Sequence, residues 1–326
     1  MIGKIKKLQA APLVQPAFFR KFSHITCFLT TERRYSVNYI IYDLEWNQPA
    51  SLDTAVMEPV YLDGEIIEIG AVKLDEAFRI VDQFKAYISP CYYKKMHHAV
   101  ASLTGIYDKL LAKEGRPFPE VFEQFMNWCG AECTLMTWSM SDLPVLIDNM
   151  LLYGMDVSML PPCCDIQRIF GREIERSQTR YSLDSALSIL KEKPDPAHDA
   201  LNDAKNTAKI CDHLDLDQYI GEYISHVFPQ TPDGIGYETK QEILLNESLR
   251  QYTCPMCGQT VQCEPWVPSG RNTQLAYGIC DEDDEFLLEL AISHQRDGRF
   301  TAKRILFGLS DDLWDVYLDR KELLSV

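Results

Sequence analysis

Asp43 and Glu45 stand two residues apart at the end of an apolar run, Asn38 to Leu44, rich in β-branched and aromatic residues. The two-residue period of a strand puts both carboxylates on one face. Anions held side by side repel unless something neutralises them, and a divalent cation does that. The pair alone carries little weight: in a chain with 48 acidic residues, Asp-x-Glu at a solvated strand end is common. A second carboxylate follows Thr137-Trp138-Ser139-Met140-Ser141, where an apolar strand gives way to small polar residues and Asp142 opens a helix. Asp142 or Ser141 is equally suited to cap that helix and complement its dipole. The third group is His198-Asp199-Ala200-Leu201-Asn202-Asp203, with Asp203 inside a helix and His198 at or before its first turn. Little more than one turn separates them, so both can reach one pocket. Asp199 is the better cap, which leaves Asp203 without an obvious structural task.

The elements that must carry these groups read as an α/β arrangement. Asn38 to Leu44, Glu65 to Leu74 and Phe78 to Ile88 are predicted strands separated by polar or glycine-containing turns, which suggests an antiparallel meander. Pro117 to Cys129 has helical apolar spacing at Val121, Phe122, Phe125 and Trp128. A buried strand is expected at Thr134 to Trp138, then helices at about Ser141 to Tyr153, Ser182 to Leu190 and Asp199 to His213. Three strands followed by helix, strand and helices give a sheet covered on its faces. A loop with Pro229, Pro232, Gly234 and Gly236 marks a boundary, Lys240 to Arg250 reads as a linking helix, and Tyr252 to Val326 is strand-like. The expected organisation is an arm at 1–36, a catalytic domain at 37–220, a linker with a helix at 221–250 and a small β-rich domain at 251–326.

The net charge of −16 argues against a protein that coats duplex DNA, since phosphate neutralisation needs a dense basic surface. It is compatible with a site that gathers cations and holds a short single-stranded end through metals, stacking and a few basic side chains. Residues 1–36 are the exception, with Lys4, Lys6, Lys7, Arg20, Lys21, Arg33 and Arg34 against Glu32. Such a leader fits an organellar transit peptide or a nucleic-acid-binding arm. The favoured reading is that Val37 is the true start, decoded from a non-AUG codon, because a strand begins at once after it. The 11 cysteines are scattered, several of them in apolar runs such as Cys129, Cys133 and Cys211, which suits a reducing cytoplasm. No apolar run approaches the roughly 20 residues needed to span a bilayer, so no membrane association is expected.

Taken together, the order, placement and separation of the carboxylates resemble the DnaQ-like DEDDh exonuclease superfamily over about residues 38 to 215. Its three motifs are matched by Asp43 with Glu45, by Asp142, and by His198 with Asp203. Within it the chain is most similar to the Eri-type and KapD-like branch, through Tyr42-Asp43-Leu44-Glu45-Trp46-Asn47, Glu65-Ile66-Ile67-Glu68-Ile69-Gly70-Ala71-Val72 and Leu103-Thr104-Gly105-Ile106. Trp46 departs from many members, which carry Ser or Thr thereabouts; this bears on substrate subclass and not on chemistry. The resemblance implies a ribonuclease H-like mixed sheet, three antiparallel strands and then parallel ones, flanked by helices. It implies metal-dependent 3′→5′ release of nucleoside 5′-monophosphates from single-stranded RNA or DNA ends, RNA favoured. Asp43 would bridge two Mg²⁺ or Mn²⁺ ions, Glu45 and Asp203 would complete one shell, Asp142 would act mainly through bound water, and His198 would be the general base. Leu44, Trp46, Leu103, Thr104, Gly105 and Ile106 would lie against the terminal nucleotide, with Trp46 or Tyr107 available to stack on a base. Each of these apolar residues is equally well explained as core.

Cys254-Pro255-Met256-Cys257-Gly258 has the spacing of a zinc knuckle. A zinc ribbon would add a second C-x₂-C pair about 20 residues on; the chain offers Cys280, with Asp283 where the partner cysteine would stand. The expected Zn²⁺ ligands are Cys254, Cys257 and Cys280, the fourth being Asp283 or Cys263. The competing functional readings are a DNA-directed proofreading or repair exonuclease and a catalytically silent RNA-binding or scaffold protein; the complete set of carboxylates and histidine argues against the latter.

Overall fold

Side chains on the first strand, β1 (Asn38–Asn47), alternate between two cores. Ile40, Tyr42 and Leu44 enter one apolar cluster and Ile41 enters another, so the period-2 rule places Asp43 and Glu45 on the Ile41 face. The computed structural model describes residues 38–49, 55–56, 60–177, 179–230, 236–295 and 298–324. The basic arm, Val37, Pro232 and Gly234 fall outside these residues.

β2 (Glu65–Leu74) and β3 (Ile80–Tyr87) complete an antiparallel meander with β1, as predicted. Two short helices follow, α1 (His98–Thr104) and α2 (Asp108–Glu114), then α3 (Phe118–Cys129). β4 (Cys133–Thr137) runs parallel to β1, and after α4 (Asp142–Leu152) the strand β5 (Cys163–Asp165) adds parallel to β4. The sheet order is β3-β2-β1-β4-β5. The chain continues through α5 (Ile166–Glu173), α6 (Leu183–Leu190), α7 (Ala200–Cys211) and α8 (Leu216–Tyr219). Phe122 and Phe125 of α3 and Leu143 and Leu146 of α4 cover the Tyr42 face, while Leu201, Ala204 and Ala208 of α7 cover the Ile41 face. This is the mixed, helix-flanked sheet of the ribonuclease H-like fold.

A second sheet, order β6-β11-β10-β9-β7, is built from β6 (Val227–Pro229), β7 (Gln262–Cys263), β9 (Thr273–Ile279), β10 (Glu285–His294) and β11 (Phe300–Gly308), with β8 (Val267–Pro268) also paired to β9. α9 (Lys240–Leu245) precedes β7, and α10 (Asp311–Glu322) ends the described chain. Val227, Ile305 and Phe307 join the cluster that underlies α3 and α4, so the two sheets share apolar core. Cys163 pairs with Ser225, whose hydroxyl donates to the Gly308 carbonyl at 2.8 Å. Arg168 of α5 pairs with Asp312 of α10 at 2.8 Å, and Lys303 of β11 pairs with the buried Asp148 of α4. No helix among the described residues is long and apolar enough to cross a membrane.

Three expectations need correction. Pro229 belongs to a strand and pairs with Ile305, where a loop was expected. The single helix over 240–250 is two elements, because Asn246 leaves the helical region and its side chain caps a 3₁₀ turn at Glu247–Arg250. The end of the strand-like tail is helical: Ser310 caps α10 by accepting from the Leu313 amide, Asp311 and Asp312 occupy its first turn, and Arg320 and Lys321 its last.

Candidate active site

Four elements converge on the Ile41 face of the first sheet. Asp43 and Glu45 lie on β1 opposite Gly70 and Glu68 of β2, and a register shift follows between Glu45 and Trp46. Such a bulge ends the regular alternation at the site. Trp46 is thereby turned to pack beside Gly64, where a Cβ would stand 2.1 Å from its ring, and against the core around Tyr42.

Gly70 is the packing key to the site. A Cβ there would stand 2.0 Å from the Leu201 amide nitrogen and 2.2 Å from the Ala200 carbonyl carbon. Its bare backbone lets the first turn of α7 rest directly on β2. That contact sets the height of Asp203 and the preceding His198 above Asp43 and Glu45. The ligand atoms of Glu45, His198 and Asp203 all lie within 4.8 Å of one another.

Asp203 has a structural task after all. Its Oδ2 accepts the His198 amide at 2.9 Å, holding that residue in a left-handed conformation (φ 63°) with its ring exposed. Asp199 caps α7 as expected, accepting from the Asn202 amide at 3.1 Å. It is also gripped by Lys85 of β3, which pairs with the buried Glu68 at 3.0 Å as well. Burial alone would lower the Lys85 ammonium, but the Asp199 and Glu68 carboxylates outweigh it and raise it. Lys85 and Glu68 thus tie β2, β3 and the His198 turn together, a role that no local pattern at either residue signals.

Asp142 is the first residue of α4, and Ser141 before it makes no side-chain cap. The carboxylate of Asp142 is only 7% exposed and accepts the Leu44 amide at 3.0 Å, which fixes the start of α4 to β1 beside Asp43.

The electrostatics are those of crowded anions. Burial, then Asp142, Asp203, Glu45 and Glu68, raise Asp43 well above the usual carboxylate range. Burial, then Glu68, Asp203 and Asp142, push Glu45 up to about 8. Burial raises Asp142 to about 7 although the Leu44 and Ser141 hydrogen bonds oppose it, and burial also raises Asp203. Each group destabilises its neighbours' charge, and a divalent cation reverses that logic by favouring every ionised carboxylate at once. The donors are hard oxygens with one imidazole at the rim, a set suited to Mg²⁺ or Mn²⁺. The residues therefore fit divalent metal.

The supporting motif segments build the loop beside the site. Glu65 accepts the Tyr92 amide at 3.1 Å and the Tyr93 amide at 2.6 Å. Asn47 donates to the Tyr93 and Lys95 carbonyls and accepts the His97 amide at 2.8 Å, which sets the entry to α1. The expected nucleotide-contacting residues divide. Leu103 is 57% exposed at the end of α1, and Tyr107 is 55% exposed just beyond it. Leu44 and Ile106 have their side chains in the core. The Thr104 hydroxyl donates to the Val100 carbonyl and accepts the Ile106 amide, and Gly105 closes the helix.

Away from this site, Cys254, Cys257 and Cys280 come together as expected, with their sulfurs within 4.8 Å of one another. The carboxylate beside them is that of Asp284, not Asp283, and Cys263 is exposed with its thiol donating to the Val261 carbonyl.

A family model described as an exonuclease matches residues 40–211, just over half of the chain. No curated protein matches it by sequence. Among solved structures, a 3′-exonuclease described as recognising the 3′ end of a histone mRNA stem-loop aligns at 20% identity over 62% of this chain and 90% of its own, with a TM-score of 0.50. Cell-death related nuclease 4 aligns at 21% identity over 54% of this chain with a TM-score of 0.46. The zinc-bound complex of E. coli exonuclease I with single-stranded DNA aligns at 12% identity over 74% of this chain with a TM-score of 0.47. The chain spans 62% of nuclease 4 and 54% of exonuclease I. At these identities the likeness is one of fold. The family match covers β1 to α7, the stretch that carries Asp43, Glu45, Asp142, His198 and Asp203, and the chain belongs to the exonuclease family RNase_T.

Proposed function

We propose that the protein removes nucleoside 5′-monophosphates one at a time from the 3′ end of single-stranded nucleic acid, with RNA favoured over DNA. The observation that carries this reading is the convergence of four part- or fully buried carboxylates, Asp43, Glu45, Asp142 and Asp203, beside one exposed imidazole, His198. Bound Mg²⁺ or Mn²⁺ ions, held by those carboxylates, would acidify the attacking water and stabilise the leaving 3′-oxygen. His198 would accept the proton of that water at a nitrogen of its exposed ring, as a general base. Asp203 has two jobs, offering one carboxylate to metal and holding the His198 backbone in place. Exposed Leu103 and Tyr107 offer an apolar and an aromatic surface to the terminal base. The preference for RNA rests on the resemblance of Tyr42 to Asn47, Glu65 to Val72 and Leu103 to Ile106 to the Eri-type branch.

The test is degradation of 5′-labelled single-stranded RNA and DNA in Mn²⁺ or in EDTA. Metal-dependent ladders that shorten from the 3′ end, faster on RNA and lost in both Asp43→Ala and His198→Ala, are expected. Faster loss of DNA would reassign the substrate. Intact but bound nucleic acid would replace the enzyme reading with that of a binding protein.

A further inference from the structure

Two turns of the second sheet face each other across a small core. The first begins at Cys254, just after Tyr252, whose buried ring is fixed by its hydroxyl donating to the Glu289 carbonyl at 2.7 Å. The chain then closes on itself: the Cys254 amide donates to the Gln259 carbonyl at 2.8 Å and the Gly258 amide to the Cys254 carbonyl at 2.9 Å. The Met256 amide points inward and donates to the Cys254 sulfur at 3.4 Å. The second turn joins β9 to β10. There the Cys280 amide donates to the Asp284 carbonyl at 3.0 Å and the Asp283 amide to the Cys280 carbonyl at 3.1 Å. Asp283 occupies the left-handed region (φ 64°), and the carboxylate that reaches the thiols is that of the next residue, Asp284. Its Oδ2 lies 3.6 Å from the sulfur of Cys254 and 3.6 Å from that of Cys280.

From these positions we infer that Cys254, Cys257, Cys280 and Asp284 form a closed structural site for one Zn²⁺ ion. Three thiolates and a carboxylate are a complete tetrahedral donor set, and the soft sulfurs select zinc over the Mg²⁺ or Mn²⁺ suited to the carboxylate cluster on the first sheet. The dimensions agree. A tetrahedron with Zn–S of about 2.3 Å and Zn–O of about 2.0 Å has S···O edges of about 3.5 Å, against the 3.6 Å found at both thiols. Cys254 and Cys280 also lie in a buried cluster with Val261, Phe286 and Leu288, where small hydrophobic packing would explain the cysteines. It would not explain why the half-buried Asp284 sets its carboxylate against two of them when water is within its reach. The ion would pin the 252–263 segment, whose only strand is two residues long, to the β9–β10 turn. With four protein ligands it leaves no open position for catalysis.

The test uses the full chain. Metal content is measured after purification without chelator, and the metal-free protein is titrated with Co²⁺ while near-ultraviolet thiolate-to-cobalt charge transfer is followed. That band reports sulfur ligands only, so metal in the carboxylate cluster does not contribute. One zinc per chain, a saturable band at one Co²⁺ per chain, loss of the band in Cys257→Ser, and zinc affinity lowered by at least about tenfold in Asp284→Ala are expected. Asp283→Ala, Cys263→Ser and Asp43→Asn should bind as wild type does. Absence of the thiolate band from the wild-type protein would overturn the site without reference to any variant. Wild-type affinity in Asp284→Ala, or loss of zinc in Asp283→Ala or Cys263→Ser, would overturn the ligand assignment.

Discussion

Replacing Gly70 with alanine adds one methyl group outside the catalytic constellation and should nevertheless disable it. The new Cβ would meet the Leu201 amide nitrogen at 2.0 Å, whereas ordinary van der Waals contact begins at about 3.4 Å. The obstacle is backbone in the first turn of α7, so no side chain can swing aside and the helix itself must retreat by roughly 1.4 Å. Asp203 and His198 ride on that turn, while Asp43 and Glu45 stay with β1. A misplacement of about 1 Å in a catalytic constellation costs on the order of 100-fold, and overpacking costs about 1–3 kcal/mol of stability. Gly70→Ala is therefore expected to stay folded, melt earlier, and trim 5′-labelled RNA about 100-fold more slowly at saturating Mn²⁺, measured well below its melting temperature. Gly221→Ala is the control, since nothing lies within 4 Å of the Cβ it would carry. A folded Gly70→Ala enzyme with turnover within about twofold of wild type would show that the seating of α7 on β2 does not set the geometry of the site.

Two further substitutions probe buried charge. Burial raises Asp148 from 3.8 to about 6 even though Lys303 opposes the shift. The folded chain thus holds this proton more tightly than the unfolded one, and the contribution is most stabilising below about pH 4 and is lost as pH rises through about 6. Asp148→Asn should remove on the order of 3 kcal/mol of pH dependence over that window, read from urea midpoints. Lys303→Met should cost about 3–5 kcal/mol at neutral pH, where it strands a buried carboxylate, and less in acid, where that group is protonated. In the active site, Lys85→Met should leave KM little changed and lower kcat about tenfold, the equivalent of about 1.4 kcal/mol of lost positioning, because Asp199 would keep its cap but lose its cation; an unchanged kcat would assign Lys85 to stability alone.

Much of the first sheet was legible because its strands alternate strongly and its helices carry apolar faces. Asp43 and Glu45 share a face for the reason that the strand period supplies, and the three helices that position or flank the site start within one or two residues of their expected places. The elements missed include α1 and α2, seven residues each and without sustained periodicity, the three-residue β5 with α5 after it, the short α8 and β6, and α10, where Tyr317 is the one buried residue. Asp203 seemed to lack a structural partner because its partner is the backbone of His198, and backbone partners leave no mark in a residue pattern. C-x₂-C spacing points to Asp283, whereas the fold sets the Asp284 carboxylate beside the thiols, because counting residues assumes a knuckle of fixed shape. The left-handed Asp283 turns the chain so that the next carboxylate faces the sulfurs.

The sharing of core between the two sheets changes how truncations of this protein should be interpreted. Val227, Ile305 and Phe307 close the apolar cluster under α3 and α4, and Lys303 supplies the cation for Asp148. An enzyme cut after residue 220 would expose that cluster and leave a carboxylate stranded inside α4, the helix whose first residue is Asp142. Loss of nuclease activity on such a cut would follow from the catalytic half alone. It would be no sign that the distal sheet touches nucleic acid.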